Sequence, residues 1–126
     1  LSQLSGSLAN PQKMAEKMEK IDRNEDAILL VAEDTDSGEL LGSLFGLCFE
    51  DVCGDCKPIL MIENVVTDEK ARRKGIGRGM FDFIENWAKE KECHYVILVS
   101  AMHRLEAHRF YDAIGYGEVK GFKKYL

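Results

Sequence analysis

Three groups of residues have the types and spacing to do chemistry. The first lies in Val65–Met80, VVTDEKARRKGIGRGM, where an apolar run ends, a basic glycine-bearing turn follows and a helical pattern begins. The first turn of a helix presents backbone N–H groups with no partner inside the helix. The helix dipole adds partial positive charge at that end, and the two together make an anion site. Gly75 and Gly77 have no side chain to hold a phosphate off the main chain, and Arg72, Arg73, Lys74 and Arg78 bring positive charge around it. The pattern is not a P-loop, because the Gly-Lys-Ser/Thr ending is missing. Nor is it a dinucleotide fingerprint, because no third glycine falls at the required place.

The second group centres on Glu63, the one acid in the apolar run ILMIENVV of residues 59–66. Burial disfavours a carboxylate's charged form and raises its pKa towards the range where it can take a proton at neutral pH. On a regular strand Asn64 points to the opposite face, so only one of the pair should face a reacting group. The third group is Cys53-Gly-Asp-Cys56. A structural zinc site needs about four ligands and only Cys48 lies near in sequence. A redox pair is expected beside the helix start of a βαβ unit, whereas this one flanks a hairpin turn. It reads as a pair of ordinary loop thiols, and no metal site is expected, since His94, His103 and His108 show no ligand spacing with carboxylates. Glu50, Asp51 and Asp55 make an acidic loop that reads as solvated, with recruitment of a cationic amine as the alternative.

These residues need elements to position them. Residues 1–9 are rich in Ser and Gly and read as loop. Asn10-Pro11 is a helix start, with Asn10 as cap and Pro11 at the first helical position, and Met14, Met18 and Ile21 give that helix an apolar face. Ala27–Glu33 and Leu40–Phe49 read as strands joined by the turn residues Asp34–Gly38. Ile59–Val66 is a further strand. From Ile76, apolar residues at Met80, Phe83, Ile84 and Trp87 predict a helix. Tyr95–Val99 reads as a strand buried on both faces. Leu105–Ile114 predicts a helix ended by Gly115, and Tyr116–Leu126 is expected to give one or two terminal strands. An antiparallel first half followed by a β-α-β unit makes an α/β (α+β) fold with a mixed, mostly antiparallel sheet.

At 126 residues the chain has the length of one domain, here residues 1–126, with 1–26 as its N-terminal region. It starts at Leu1 rather than Met and so reads as an internal part of a longer protein. No apolar run reaches transmembrane length and no signal-peptide pattern is present. Four irregularly spaced cysteines are too few for a disulfide framework, so a cytoplasmic protein with free thiols is expected. A net charge of −5 argues against nucleic acid as a partner and leans towards a cationic substrate. No membrane partner is expected.

Arg72-x-x-Gly75-x-Gly77 resembles the Arg/Gln-x-x-Gly-x-Gly/Ala signature of the GNAT acetyltransferases, and it lies between a strand and a helix as that family places it. Ala107–Tyr116, AHRFYDAIGY, resembles the family's Ala-x-x-Phe-Tyr-x-x-x-Gly-Phe/Tyr segment. The likeness covers about residues 27–126. A finer likeness, carried by His103-Arg104-x-Glu106-Ala107-His108-x-Phe110-Tyr111 and Gly121–Lys124, is to small GNATs, some of which act on aminoalkylphosphonates and other small amines.

The resemblance implies a sheet with helices on both faces and acetyl-coenzyme A (acetyl-CoA) as co-substrate. It implies that the coenzyme's pyrophosphate sits on Arg72, Arg73, Lys74, Gly75, Ile76 and Gly77, with Arg78 and Gly79 beside them. The pantetheine arm would pair with the main chain of Val65, Val66 and Thr67, like an added strand. Tyr111 matches the family's general acid near the coenzyme sulfur. Glu63, nine positions before Arg72, matches its acidic position and is the candidate base, acting directly or through water. Arg104 stands where many members have an asparagine that contacts the coenzyme, and that role is not carried over. His103 and His108 flank the helix bearing Tyr111, as acceptor-pocket walls or as helix surface and cap. The implied reaction is acetyl transfer to a primary amine of a small molecule. A coenzyme-binding sensor without transferase activity and a protein or peptide N-terminus as acceptor are the other readings. Homodimers are common in the family.

Overall fold

Two hairpin-connected antiparallel pairs and one parallel pair build the sheet at the centre of the computed structural model, which describes residues 1–126, the side chain of Ser2 apart. The elements run α1 (Ser2–Ser5), α2 (Pro11–Arg23), β1 (Ala27–Glu33), β2 (Leu40–Phe49), β3 (Ile59–Thr67), a 3-10 turn (Glu69–Ala71), α3 (Ile76–Glu90), β4 (Val96–Leu98) and α4 (Leu105–Ala113). The strand order is β1-β2-β3-β4, antiparallel except for the parallel β3–β4 pair. This is the mixed α+β architecture that the sequence implies.

Local chemistry sets the boundaries. The Asn10 side chain accepts from the Lys13 N–H at 3.0 Å, capping α2. In the β1–β2 turn, Asp34 Oδ1 accepts from the N–H groups of Asp36 (2.8 Å) and Ser37 (3.1 Å), and Gly38 takes a left-handed φ of 76°. The Ser37 and Asp36 N–H groups, with a smaller contribution from Lys74, hold the Asp34 carboxyl below its ordinary pKa. Gly115, at φ 97°, ends α4.

The core lies between α3 and one face of the sheet. Leu44 and Cys48 of β2, Leu60 and Ile62 of β3, and Met80, Phe81, Ile84 and Ala88 of α3 are buried together. Gly42 and Gly46 share that face and let α3 come close: a Cβ on Gly46 would stand 3.0 Å from Ile84 Cδ1. Phe81 is fully buried, with the rings of Phe110, Tyr111 and Tyr116 all within 5.8 Å of it, centroid to centroid. Each such pair adds about 0.5–1.5 kcal/mol beyond its buried area. This cluster fixes α4 onto α3.

Four expectations need correction. Residues 1–9 hold a helical turn, α1, in which Leu4 and Ser5 N–H groups donate to the Leu1 carbonyl and Gly6, at φ 74°, stops it. β4 is shorter than Tyr95–Val99 and half-buried rather than buried on both faces, because it is the outer strand; Tyr95 and Val99 are exposed. Residues 117–126 form no strand and are exposed. Two glycines and three lysines among them favour solvent over a ladder, although Gly121 comes within reach of Val99. Finally, β3 is not regular. Its register against β2 jumps from Phe45–Glu63 to Ser43–Val66, and Asn64 takes φ 55°. This is a β-bulge.

Candidate active site

The bulge opens the site. β3 and β4 pair only through Leu60–Val96, Met61–Ile97 and Ile62–Leu98. Beyond Ile62, β3 keeps β2 as partner through Val66–Ser43 and Thr67–Gly42 while its β4-facing edge carries no strand. The gap is a cleft of about 290 Å³ whose walls include Glu63, Asn64, Ser100, Arg104 and Tyr111. Glu63 and Asn64 both line it, so the expectation that only one of them would face it fails because of the bulge. Glu63 is exposed, not buried among its apolar neighbours.

Tyr111 is placed by packing. It lies on α4, is 8% exposed, and its ring stands 5.8 Å from that of Phe81. Burial pushes its phenol above the ordinary tyrosine pKa, and the charge of Arg104 pulls the other way. Behind it, the Tyr116 hydroxyl donates to Glu85 Oε2 at 2.8 Å, tying the end of α4 to α3. Burial first, and then that carboxylate, drive the Tyr116 phenol far upward.

The glycine turn lies at the head of α3. Gly75 is the cap residue, left-handed at φ 80°, and no side chain caps the first-turn N–H groups. Nothing stands within 4 Å of a Cβ built on Gly75 or Gly79, so the surface there is open main chain. That exposed backbone suits a phosphate. The four basic residues are not equivalent. Arg72 Nε donates back to the Thr67 carbonyl at 3.3 Å, closing the turn. Arg73 reaches Glu106 on α4 at 3.6 Å, and Lys74 lies near enough to Asp34 to act on its titration. Arg78 is exposed on the first turn of α3. Val65, Val66 and Thr67 run from the cleft towards this turn on the open edge of β3.

The sequence profile of the acetyltransferase (GNAT) family matches residues 3–116. The chain belongs to the GNAT acetyltransferase family. The uncharacterized N-acetyltransferase YhdJ of Bacillus subtilis (strain 168) is 38% identical over 58 residues, which is 45% of this chain and 41% of that one. Aminoglycoside N(6')-acetyltransferase type 1 of Serratia marcescens is 26% identical over 66 residues, 52% of this chain and 45% of that one. The match thus spans less than half the length of each of these relatives. The crystal structure of a transcriptional regulator from Bacillus halodurans C-125 superposes with a TM-score of 0.85 at 26% identity, covering 92% of this chain and 77% of that one.

Within this GNAT domain, sequence reading did not place Leu4 or Ser100 in the cleft, and it left Arg104 without an assigned role. Leu4 enters the cleft wall because the Gln3 amide bonds to Asp68 and Glu69, bringing the N-terminal turn over the end of β3. Nothing in the pattern of residues 1–9 signals this. Ser100 follows β4, and its hydroxyl is buried with no partner among the described residues. Arg104 had a signal, its departure from the family asparagine. Of the two histidines, His103 lines the cleft, while His108 Nε2 lies 2.9 Å from the Ala101 carbonyl and steadies the loop before α4. Cys53 and Cys56 are exposed loop thiols, and the described residues hold no cluster of three or more potential metal ligands. No helix among the described residues is long and apolar enough to cross a membrane.

Proposed function

We propose that this chain transfers the acetyl group of acetyl-CoA to a primary amine of a small molecule by direct attack. The observation that carries the reading is the cleft where β3 parts from β4. It places Glu63 and Tyr111 on the walls of one space, beside an open strand edge that leads to a glycine turn. Family membership supports acetyl-CoA as co-substrate, and the aminoglycoside acetyltransferase relative supports a small-molecule amine.

In this reading the pyrophosphate rests on the N–H groups at Gly75–Arg78, with Arg72, Arg73, Lys74 and Gly79 around it. The pantetheine amides pair with the free edge of Val65, Val66 and Thr67. Glu63, exposed to cleft solvent, takes the ammonium proton directly or through water. The neutral amine attacks the thioester carbon, the C–S bond breaks, and Tyr111 hands its proton to the sulfur. The raised Tyr111 pKa keeps that proton in place until the thiolate appears.

Calorimetric titration with acetyl-CoA, together with thiol release over a panel of amines, tests this. Binding with amine-dependent release is expected. Binding without release across the panel would leave a coenzyme-binding module, and no binding would remove the assignment of residues 72–79.

A further inference from the structure

The cleft holds one permanent cation, Arg104, among its walls. Arg104 immediately precedes α4, and Tyr111 follows it by seven residues, close to two helical turns. Arg104 and Tyr111 both line the cleft. Arg73 has Glu106, Arg23 has Glu19 and Arg72 has the Thr67 carbonyl as partners, while Arg78 and Arg109 are exposed to solvent. The half-buried Arg104 side chain has no ion pair or hydrogen bond among the described residues. A charge part-way out of water with no counter-charge is unfavourable unless a negative group arrives beside it.

We propose that Arg104 is a positioning residue for the transfer step, stabilising the negative charge that Tyr111 acquires as it protonates the departing sulfur. The inference rests on the acetyl-transfer reading above. The amine nitrogen bonds to the carbonyl carbon and the C–S electron pair goes to sulfur. The Tyr111 proton follows it, leaving a phenolate. That phenolate regains a proton from the amide-forming nitrogen by way of cleft water and Glu63 gives the ammonium proton to solvent, so coenzyme A leaves as the thiol and the enzyme is unchanged. The other groups facing Tyr111 offer no fixed positive charge. Glu63 comes from β3, His103 from the loop, and Tyr116, holding Glu85 of α3, from behind. Burial is what opposes a phenolate at Tyr111, and Arg104 is the charge that works against it. The pull of Arg104 on the Tyr111 titration, against burial, has the sign this role requires.

The test compares wild type with Arg104→Gln and Arg104→Lys. Arg104→Gln is expected to lower kcat by about 10–100-fold, the size of one preorganised electrostatic contact. KM for acetyl-CoA and for the amine should hardly move. The basic limb of kcat should shift to higher pH, because Tyr111 loses the charge that eases its ionisation. Arg104→Lys should recover most of kcat, and Arg104→Gln added to Tyr111→Phe should cost nothing further. A raised amine KM at unchanged kcat would make Arg104 an acceptor contact and overturn the proposal, as would an unshifted limb. A second measurement stands apart from turnover. 3-Fluorotyrosine placed at position 111 is titrated by fluorine NMR in both backgrounds. An upward midpoint in Arg104→Gln supports the proposal and an identical midpoint overturns it, whether or not any amine in the panel is acetylated.

Discussion

Gly77 lies directly under the ring of Phe110: a Cβ built on Gly77 would stand 3.1 Å from Phe110 Cζ and 3.3 Å from Cε1. The two glycine- and tyrosine-bearing segments of the sequence therefore touch, and the head of α3 is packed against the helix that carries Tyr111. Gly77→Ala should push Phe110 aside and destabilise the fold by about 1–2 kcal/mol. Gly79, two residues on, is open: a Cβ there would meet nothing within 4 Å. Gly79→Ala should gain helix propensity, up to about 1 kcal/mol. Thermal unfolding of the two variants should shift in opposite directions. If coenzyme phosphates rest on this turn, Gly79→Ala should nonetheless bind acetyl-CoA more weakly by calorimetry, and unchanged affinity would remove Gly79 from the phosphate site.

Tyr111→Phe keeps the ring and its contacts with Phe81 and removes the proton. Turnover should fall by about 100-fold or more with acetyl-CoA affinity nearly intact, since general-acid contributions run to about 10²–10⁴. Equal turnover in the variant would take Tyr111 out of the mechanism. The phenol also sets a stability limit. Its folded pKa is raised above the ordinary value of 10.0, and that of Tyr116 is raised further. Their contribution is fully present below pH 10 and is lost as pH rises, because the unfolded chain releases these protons first. Chemical denaturation at stepped pH should show stability falling from about pH 10 upward. A smaller fall is expected in Tyr111→Phe, which has one titrating phenol fewer.

Cys48 and Cys93 bring their sulfurs to 3.4 Å, yet the two thiols differ in setting. Burial, and then the neighbouring Cys93, push the Cys48 thiol up to about 12. The thiolate is the nucleophile, so Cys48 should resist iodoacetamide at pH 8 in the native protein. Cys53 and Cys56 are exposed and should react first. Mass spectrometry of timed samples gives the order. Rapid labelling of Cys48 would mean that the β2 end of the core opens far more readily than its packing implies.

The elements were legible where one periodicity ran unbroken. β1 and β2 have the boundaries that their apolar runs predict, and α3 starts at Ile76 because Gly75 ends the turn before it. The placement of Tyr111 on a helix and of the glycine turn at a helix start was legible because their motifs are local. The relation between Glu63 and Asn64 was not. A bulge is a two-strand property, set by how β3 registers against β2, and ENVV looks the same with or without it. The cleft contribution of Leu4 depends on Gln3 meeting Asp68, sixty-five positions away. The terminal residues 117–126 carry enough aromatic side chains to suggest strands, but such a segment forms a strand only where a sheet edge receives it.

The left-handed Asn64 lies where β3 parts from β4, so it should couple fold to binding. Asn tolerates φ 55°, Gly adopts it freely and a β-branched residue does not. Asn64→Gly should therefore keep the bulge and leave thermal stability within about 1 kcal/mol of wild type. Asn64→Val should either carry about 1–2 kcal/mol of strain or lose the bulge and shift β3 by one residue. A shift would swap the faces of Val65, Val66 and Thr67 and remove the edge proposed for the pantetheine arm. Calorimetry should then show acetyl-CoA affinity at least about tenfold weaker in Asn64→Val, the equivalent of about 1.4 kcal/mol, and near wild type in Asn64→Gly. Tight binding by the valine variant would show that the open edge does not depend on the bulge, and the route from Ile62 to Gly75 would need another hold on the coenzyme.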